Sequence, residues 1–577
     1  MSRNSKITNE IVEKFQDYEN NNSSFLEKYN DISDFYTMKY LNKGAGETYY
    51  SSVPNSATLR ACNSAGTFIY RVLTSNTPNF EVIANDVIGY TDPTNLMKIE
   101  STIQTQMKLA NYNENLLQAC IMNYLFGTVV IQQPFSSVKI GNFGRKMPVT
   151  YFKPRSMLTI GFDPKASDIY DTNWMGTTDV VSVDYIRNLI GNDPTEDKYI
   201  ESATNELIDD EDPAQWNSCV RERLDRAGYS DSESKGSYRE LISYYGKIDS
   251  IGDGLEYIAI VGNRKHLISF YANPSQSGKR PFRVSNYINW ELEPLGYGIG
   301  MLLGSQQRSI NNTQQRNSNM NAAATMGMQI VNKYAGIDLD QIRFQQNGII
   351  QTEQMDAIRP MQFDNMAIAN GMTWMEKQQE DFDAASGATK TLQAETTGAT
   401  ATEASIAQNE GVRNLSVRAE HLSEHLVRET VEYMHENNTR NVASPFVIPI
   451  KGKPTTIYPS DMLADIDFKV KTTSDKDFRP NRAPQLNMLL QTLTTSKTNM
   501  SPEFQQKMLP LMETVVKTLV RDLGADPTML EGDSSMQNGR ESQLAMNGVG
   551  AGMNDAMAGN MGNAGQILGG MGGMNGG

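Results

Sequence analysis

Apolar residues spaced three and four apart mark out the helices of this chain. Ile7, Ile11, Phe15 and Tyr18, then Phe25, Tyr29, Ile32 and Tyr36, predict two helices between Ser5 and about Asn42, broken at the polar run Asn20 to Ser24. Further helices are predicted over Ala57 to Thr74, Asn95 to Tyr112 and Glu114 to Phe126. The last is ended by Gly127, and the β-branched run Thr128-Val129-Val130-Ile131 after it reads as a strand. Strands are also expected over Val149 to Phe152 and Met157 to Phe162, closed by the turn Asp163-Pro164.

Between Asp184 and about Ala227 short helices alternate with acidic loops such as Asp209-Asp210-Glu211-Asp212. A Ser, Asp and Gly-rich loop to Gly236 then reads as a boundary. Glu256 to Val261 and Leu267 to Tyr271 flank Gly262-Asn263 as a hairpin in a small β unit running to about Pro281, which should project or pair with a neighbour. Gly296-Tyr297-Gly298 leads into Ser305 to Asn321, a Gln- and Asn-rich helix expected to show polar, nearly uncharged faces to water or to a sliding polymer. β-like stretches follow at Met328 to Val331 and Gly348 to Gln351, then a helix from about Asn365 to Ser386. Gly387 to Gly398 is a loop of small and hydroxylated residues, functional or mobile on its length. A capping-box pattern at Thr400 and Glu403 opens a long helix to about Asn437. A small β unit (Phe446 to Ile450, Thr456 to Tyr458, Ile466 to Val470) and helices at Ala483 to Thr495 and Pro502 to Leu523 complete the ordered part. The Gly, Met and Asn-rich tail from about Glu531 is expected to be disordered. The fold class is therefore α+β, predominantly helical.

Composition sharpens this picture. At 577 residues, 39% hydrophobic and 21% charged, the chain should fold into several packed units. Its 52 Lys and Arg against 67 Asp and Glu leave a net charge of −15, which excludes a protein that coats itself on nucleic acid or anionic lipid; any DNA contact must be local or fleeting. Cys62, Cys120 and Cys219 are too far apart for a zinc ribbon or disulfide framework, and no apolar run suits a signal peptide or membrane span, so no membrane partner is expected.

Chemical motifs are few. His421-Leu-Ser-Glu424-His425 matches the inverted zinc-protease pattern, which makes a metal-dependent hydrolase the main alternative reading. These residues also form, with Arg428, a polar stripe beside Leu422 and Leu426. That stripe puts a cation on the metal face, and no downstream glutamate motif supplies a third ligand. The glycines 296, 298, 300 and 304 fit no dinucleotide fingerprint, and neither a P-loop nor a nucleophile elbow is present. The Gly-Gly-Met repeats at the end are similar to chaperonin tails, but without an ATPase signature a chaperonin-like ring is a remote alternative. No catalytic, cofactor or metal site is expected.

Five pieces in order carry a resemblance over nearly the whole chain to about Asp526. They are Asn79-Phe80-Glu81-Val82 after an early helix; Leu116 to Val130; the Phe162-Asp163-Pro164 to Ile169 turn with Trp174 after it; Gly296-Tyr297-Gly298 leading into Gln306 to Asn321; and Thr400-Ala401-Thr402-Glu403 opening a long helix. Together they resemble portal, or head-to-tail connector, proteins of tailed double-stranded DNA bacteriophages. The resemblance implies a non-enzymatic homo-oligomeric ring, most often a dodecamer, at one capsid vertex of the virion and assembled in the host cytoplasm. Double-stranded DNA would pass through it transiently and without sequence readout. Its other implied partners are the terminase, head-tail adaptor and tail proteins, the major capsid protein and scaffold. Carried onto this chain, residues 1–183 and 328–386 would be wing, 184–236 a stem helix region and linker, 237–290 the β-rich clip and 291–327 the second stem helix. Residues 387–400 would be the tunnel loop, 401–480 a long helix and small β unit, 481–530 the crown and 531–577 the tail. Thr389, Lys390 and Thr391, with Arg308 and Arg316, would face DNA. Lys247, Arg264 and Lys265 would serve adaptor contact at the clip.

Overall fold

The computed structural model describes residues 3–39, 54–75, 79–84, 93–140, 145–170, 172–192, 199–210, 218–226, 228, 238–275, 278–291, 293–326, 329–331, 358–360, 365–388, 413–442, 444–450, 453–463 and 466–470. The chain divides into two compact units, residues 1–475 and 476–577, and every described residue lies in the first. The helices expected at Ala483 to Thr495 and Pro502 to Leu523, and the tail, lie outside the described residues. Among the described residues no helix is long and apolar enough to cross a membrane.

The opening helices α1 (Arg3–Asn21) and α2 (Ser23–Tyr36) bury the predicted stripe: Ile7, Ile11, Phe15 and Tyr18 in the first, Tyr29 and Ile32 with Leu26 and Phe35 in the second. The break falls at Asn22, whose side-chain amide donates to the Tyr18 carbonyl at 3.1 Å. α3 (Ala57–Thr74) ends where it was predicted. β1 (Phe80–Ala84), α4 (Pro93–Leu109) and α5 (Tyr112–Phe126) follow. Past Gly127 come β2 (Thr128–Gln132), buried along its whole length, β3 (Phe135–Ile140), β4 (Arg145–Thr150) and β5 (Lys153–Arg155).

The strand expected over Met157 to Phe162 is shorter than its pattern suggests. Ser156 Oγ accepts the Leu158 N–H at 3.3 Å and starts a 3-10 turn, Met157–Thr159, so only β6 (Ile160–Phe162) is extended. With β7 (Trp174–Ser182), β8 (Tyr238–Lys247), β9 (Glu256–Gly262) and β10 (His266–Ala272) it builds a five-stranded antiparallel sheet in the order β10-β9-β8-β7-β6. Helix α1 lies on this sheet, Phe15 against Trp174 and Tyr18 against Phe162, each with ring centroids 5.0 Å apart.

One expectation changes here. The hairpin at Gly262-Asn263 forms, with Asn263 and Arg264 in the left-handed region at φ 45° and 58°, as a tight primed turn requires. It is not a unit apart, because β8 pairs with β7 from Trp174↔Gly246 to Ser182↔Tyr238. The short helices expected before the boundary loop form and are packed, while the loop itself, residues 229–236, lies outside the described residues. They are α6 (Val183–Asn192), α7 (Glu201–Asp209) and α8 (Ser218–Arg226), and none of the three is longer than 10 residues. Buried Arg239 of β8 donates to the Leu207 and Ile208 carbonyls at the end of α7, at 2.8 and 3.0 Å. Arg223 and Arg226 of α8 hold buried Asp34 of α2 at 3.0 and 2.6 Å.

β11 (Phe282–Asn286) pairs with β2, giving a second sheet in the order β11-β2-β5. A short helix the sequence did not announce, α9 (Ile299–Leu302), precedes α10 (Gly304–Met326) and α11 (Asn365–Ser386), which lie where helices were predicted. Between the last two, β12 (Gln329–Val331) pairs with β13 (Ile358–Pro360), and Gly348 to Gln351 lies outside the described residues. The long helix is described from residue 413. A π-helical turn, Ser423–Arg428, interrupts it before α12 (Glu429–Asn441). The strands read as one final β unit separate: β14 (Phe446–Ile450) and β15 (Lys453–Ile457) form a hairpin, whereas β16 (Ile466–Val470) pairs antiparallel with β1 from Phe80↔Val470 to Ala84↔Ile466.

Candidate functional site

The glycines that fit no nucleotide fingerprint have a structural purpose. Gly127 sits at φ +92°, and a Cβ there would lie 2.2 Å from the backbone nitrogen of Gly298; one on Gly298 would lie 2.3 Å from that of Gly127. The two backbones cross in contact, which residues bearing a Cβ cannot do. Gly127 O accepts the Tyr287 N–H at 2.6 Å, and Thr128 Oγ accepts the Gly296 N–H at 2.8 Å. This crossing fixes the start of α9 and α10 against the end of α5.

Helix α10 differs from the helix its composition suggests. Gln307, Asn311, Gln315 and Asn317 are buried, not wetted. Gln307 Oε accepts both the N–H and the hydroxyl of Thr58, at 3.1 and 2.8 Å, and Asn311 Oδ accepts the Asn55 N–H at 2.8 Å. On another side Gln306 donates to the Gln378 carbonyl of α11 at 3.3 Å, and Gln378 donates to Ser309 Oγ at 2.7 Å. Gln307 and Asn311 are thus paired, as buried amides usually are, whereas the Gln315 amide and the Asn317 amide nitrogen are buried without a partner among the described residues. Among the described side chains of the helix, Ser305, Arg308, Asn312 and Arg316 are exposed at steps of three and four, and Asn321 is exposed beyond them. The structure therefore places the predicted Arg308 and Arg316 on one face. Arg308 is engaged, donating to Asp31 of α2 at 2.5 Å, whereas Arg316 carries its charge without an ion pair among the described residues.

Helix α11 ends at a buried post. Tyr124 of α5 donates its hydroxyl to the Ser386 carbonyl at 2.7 Å, Ser386 Oγ accepts the Ala388 N–H at 3.2 Å, and Gly387 turns the chain at φ +73°. Where description resumes, Arg418 donates to the Tyr287 carbonyl at 2.8 Å and stacks over the Tyr287 ring. Tyr124 and Tyr287 pack edge to face at 5.4 Å, so both ends of the intervening segment are tied to one aromatic pair. Thr389, Lys390, Thr391 and the Thr400 to Glu403 helix start lie outside the described residues. No sequence signal marks Tyr124, Tyr287 or Arg418, whose partners are distant in the chain. Asn55 does leave a local one, accepting the Ala57 N–H at 2.9 Å as a helix-start residue does.

The three clip cations fall on the five-stranded sheet in different settings. Lys247 is exposed at the end of β8, and its carbonyl accepts Lys14 Nζ at 3.2 Å. Lys265 is exposed in the β9–β10 turn. Arg264 is spent inside the fold, donating to Glu240, 1% exposed, at 3.1 Å and to Glu19 of α1 at 3.1 Å. Burial outweighs that guanidinium and pushes the Glu240 carboxyl above its usual range.

At the H-x-x-E-H pattern the two imidazoles lie 4.5 Å apart with their planes tilted by 42°, Tyr170 packs on His425, and Glu424 pairs with Arg428 at 3.3 Å. Burial, with His425 and Arg418 alongside, lowers the His421 pKa. No group of three metal-capable side chains occurs among the described residues.

A family model described as phage SU10 portal protein matches residues 90–522, well over half of the chain. Among curated proteins none matches significantly.

Proposed function

The chain belongs to the phage SU10 portal protein family, and from that premise we propose how its parts serve the channel through which phage DNA is packaged. The subunits close into a dodecameric ring at the capsid vertex, docking the terminase first and head-tail adaptor and tail proteins later. Helix α10, 23 residues and about 35 Å long at 1.5 Å per residue, is the stem helix that lines the channel. The five-stranded sheet around β8 to β10 carries the clip, residues 1–183 and 328–386 the wing, and 481–530 the crown.

The observation that carries this reading is the division of α10 into an inner face paired at Gln307 and Asn311 and an exposed stripe of Ser305, Arg308, Asn312 and Arg316. Gln307 and Asn311 tie the start of the helix to Thr58 and Asn55. With Arg308 held by Asp31, the stripe offers DNA a polar surface and one unpaired cation per subunit. In a chain of net charge −15 such a wall gives phosphates little to pair with, so DNA slides without being held. The clamped ends of α11 and of the helix bearing Arg418 suit a loop, 387–400, that reaches toward DNA with Thr389, Lys390 and Thr391.

A symmetric ring repeats Lys390 as a belt of cations at one level. Lys390→Glu is expected to leave folding and ring formation intact, since such a loop substitution changes stability by no more than about 0.5 kcal/mol. It should shorten or loosen the packaged genome, with a defect that varies with salt. DNA content of assembled particles across ionic strength is the measurement. Normal filling at every salt would refute the belt, and failure to form the ring would make Lys390 a subunit contact.

A further inference from the structure

The exposed stripe of α10 carries two cations in opposite situations. Arg316 has no ion pair among the described residues. Arg308, eight residues or about 12 Å earlier along the helix, already holds an anion. Its Nη2 donates to Asp31 Oδ2 of α2 at 2.5 Å, and its guanidinium lies over the Phe35 ring at 5.8 Å. The Asp31 carboxylate occupies the donor that a phosphate oxygen would need, which makes it an internal competitor for any polyanion reaching this face.

How easily Arg308 leaves depends on what its departure strands. Asp31 has a second partner, Arg226 of α8, at 3.2 Å. Arg226 in turn reaches Asp34 at 2.6 Å and pairs with Glu222, and Arg223 holds Asp34 at 3.0 Å. Three guanidiniums thus meet three carboxylates in one chain of contacts, and Arg308 is its outermost arginine, with a side chain 49% exposed. Breaking an ion pair is costly mainly through the charge left alone, and here Asp31 keeps Arg226. A pair this exposed is also weak and screened by salt. Arg308 is therefore placed to leave Asp31 for a passing anion and to return when that anion moves on.

We propose that Asp31 regulates the grip of α10 on DNA by competing with phosphates for Arg308, so that each subunit presents one constant cation, Arg316, and one exchangeable cation, Arg308. This rests on the reading of α10 as the helix that lines the channel. The test measures binding of linear duplex DNA to the assembled full-length protein across ionic strength. Arg316→Ser checks the channel reading itself and should weaken binding and flatten its salt dependence. Asp31→Asn removes the competitor and should tighten binding at low salt at least tenfold. It should also steepen the fall of log affinity with log salt by about 0.9 for each Arg308 brought onto a phosphate. Asp31→Asn combined with Arg308→Ser should lose that gain, which a gain from a disturbed fold would not do. Arg308→Ser alone, with Asp31 in place, should cost less than Arg316→Ser; an equal cost would mean that Asp31 does not hold Arg308 back, and this comparison stands even where Asp31→Asn fails to fold. Unchanged binding in Asp31→Asn while Arg316→Ser weakens it would overturn the proposal and leave the channel reading intact, and a gain that survives Arg308→Ser would overturn it as well. No response to either Arg316→Ser or Asp31→Asn would overturn both.

Discussion

Gly127→Ala is expected to prevent the chain from reaching a stable fold, at a cost of more than about 4 kcal/mol. Two penalties coincide at this position. The residue has φ +92°, and the new Cβ would stand 2.2 Å from Gly298 N and 2.3 Å from Gly296 O, both backbone atoms that no rotamer change can move. Relief would require separating α5 and β2 from the start of α9, which also breaks the Tyr287 to Gly127 hydrogen bond. Gly254→Ala is the control, since Gly254 has φ +74° with nothing near the Cβ position. It should cost only the left-handed strain, about 1–2 kcal/mol. Thermal unfolding and soluble yield separate the two; equal melting of both variants would mean that the crossing is looser than its distances say.

Arg264→Ala is the second large effect expected, a destabilisation of about 3 kcal/mol, because it strands the buried Glu240 carboxylate beside Glu19. The pH dependence has a definite sign. A carboxyl whose folded pKa is raised binds its proton more tightly in the native state, so stability is greatest below the unfolded value and is lost as pH rises through the folded one. Without Arg264 that loss grows, so the variant's deficit should shrink on acidification through the carboxylate range. Melting curves at several pH values test this. A variant that melts normally but fails to dock an adaptor would instead make Arg264 a clip contact.

What the sequence reveals follows the range of the forces involved. Ile7, Ile11, Phe15 and Tyr18 announce a helix because one helical face repeats within a few residues. The Gly262-Asn263 hairpin is legible for the same reason. Its membership in a sheet with β7 is not, because nothing local in Tyr238–Lys247 names a partner some sixty residues earlier. The Gln and Asn residues of α10 mislead in a different way. An amide that faces water and one that faces another amide look alike in sequence, and only Asn55, Thr58 and Gln378 show that Gln307 and Asn311 are internal. Gly296-Tyr297-Gly298 is one of the five pieces that together carry the family resemblance, but its physical reason is Gly127, which the fold brings from far along the chain.

The central claim is that copies of this chain close into a ring around a passage for DNA. Particle imaging of the purified full-length protein tests it most directly. The account predicts closed rings with an open axial channel and the clip sheet repeated around one end. A population that stays monomeric at every concentration tried would contradict it.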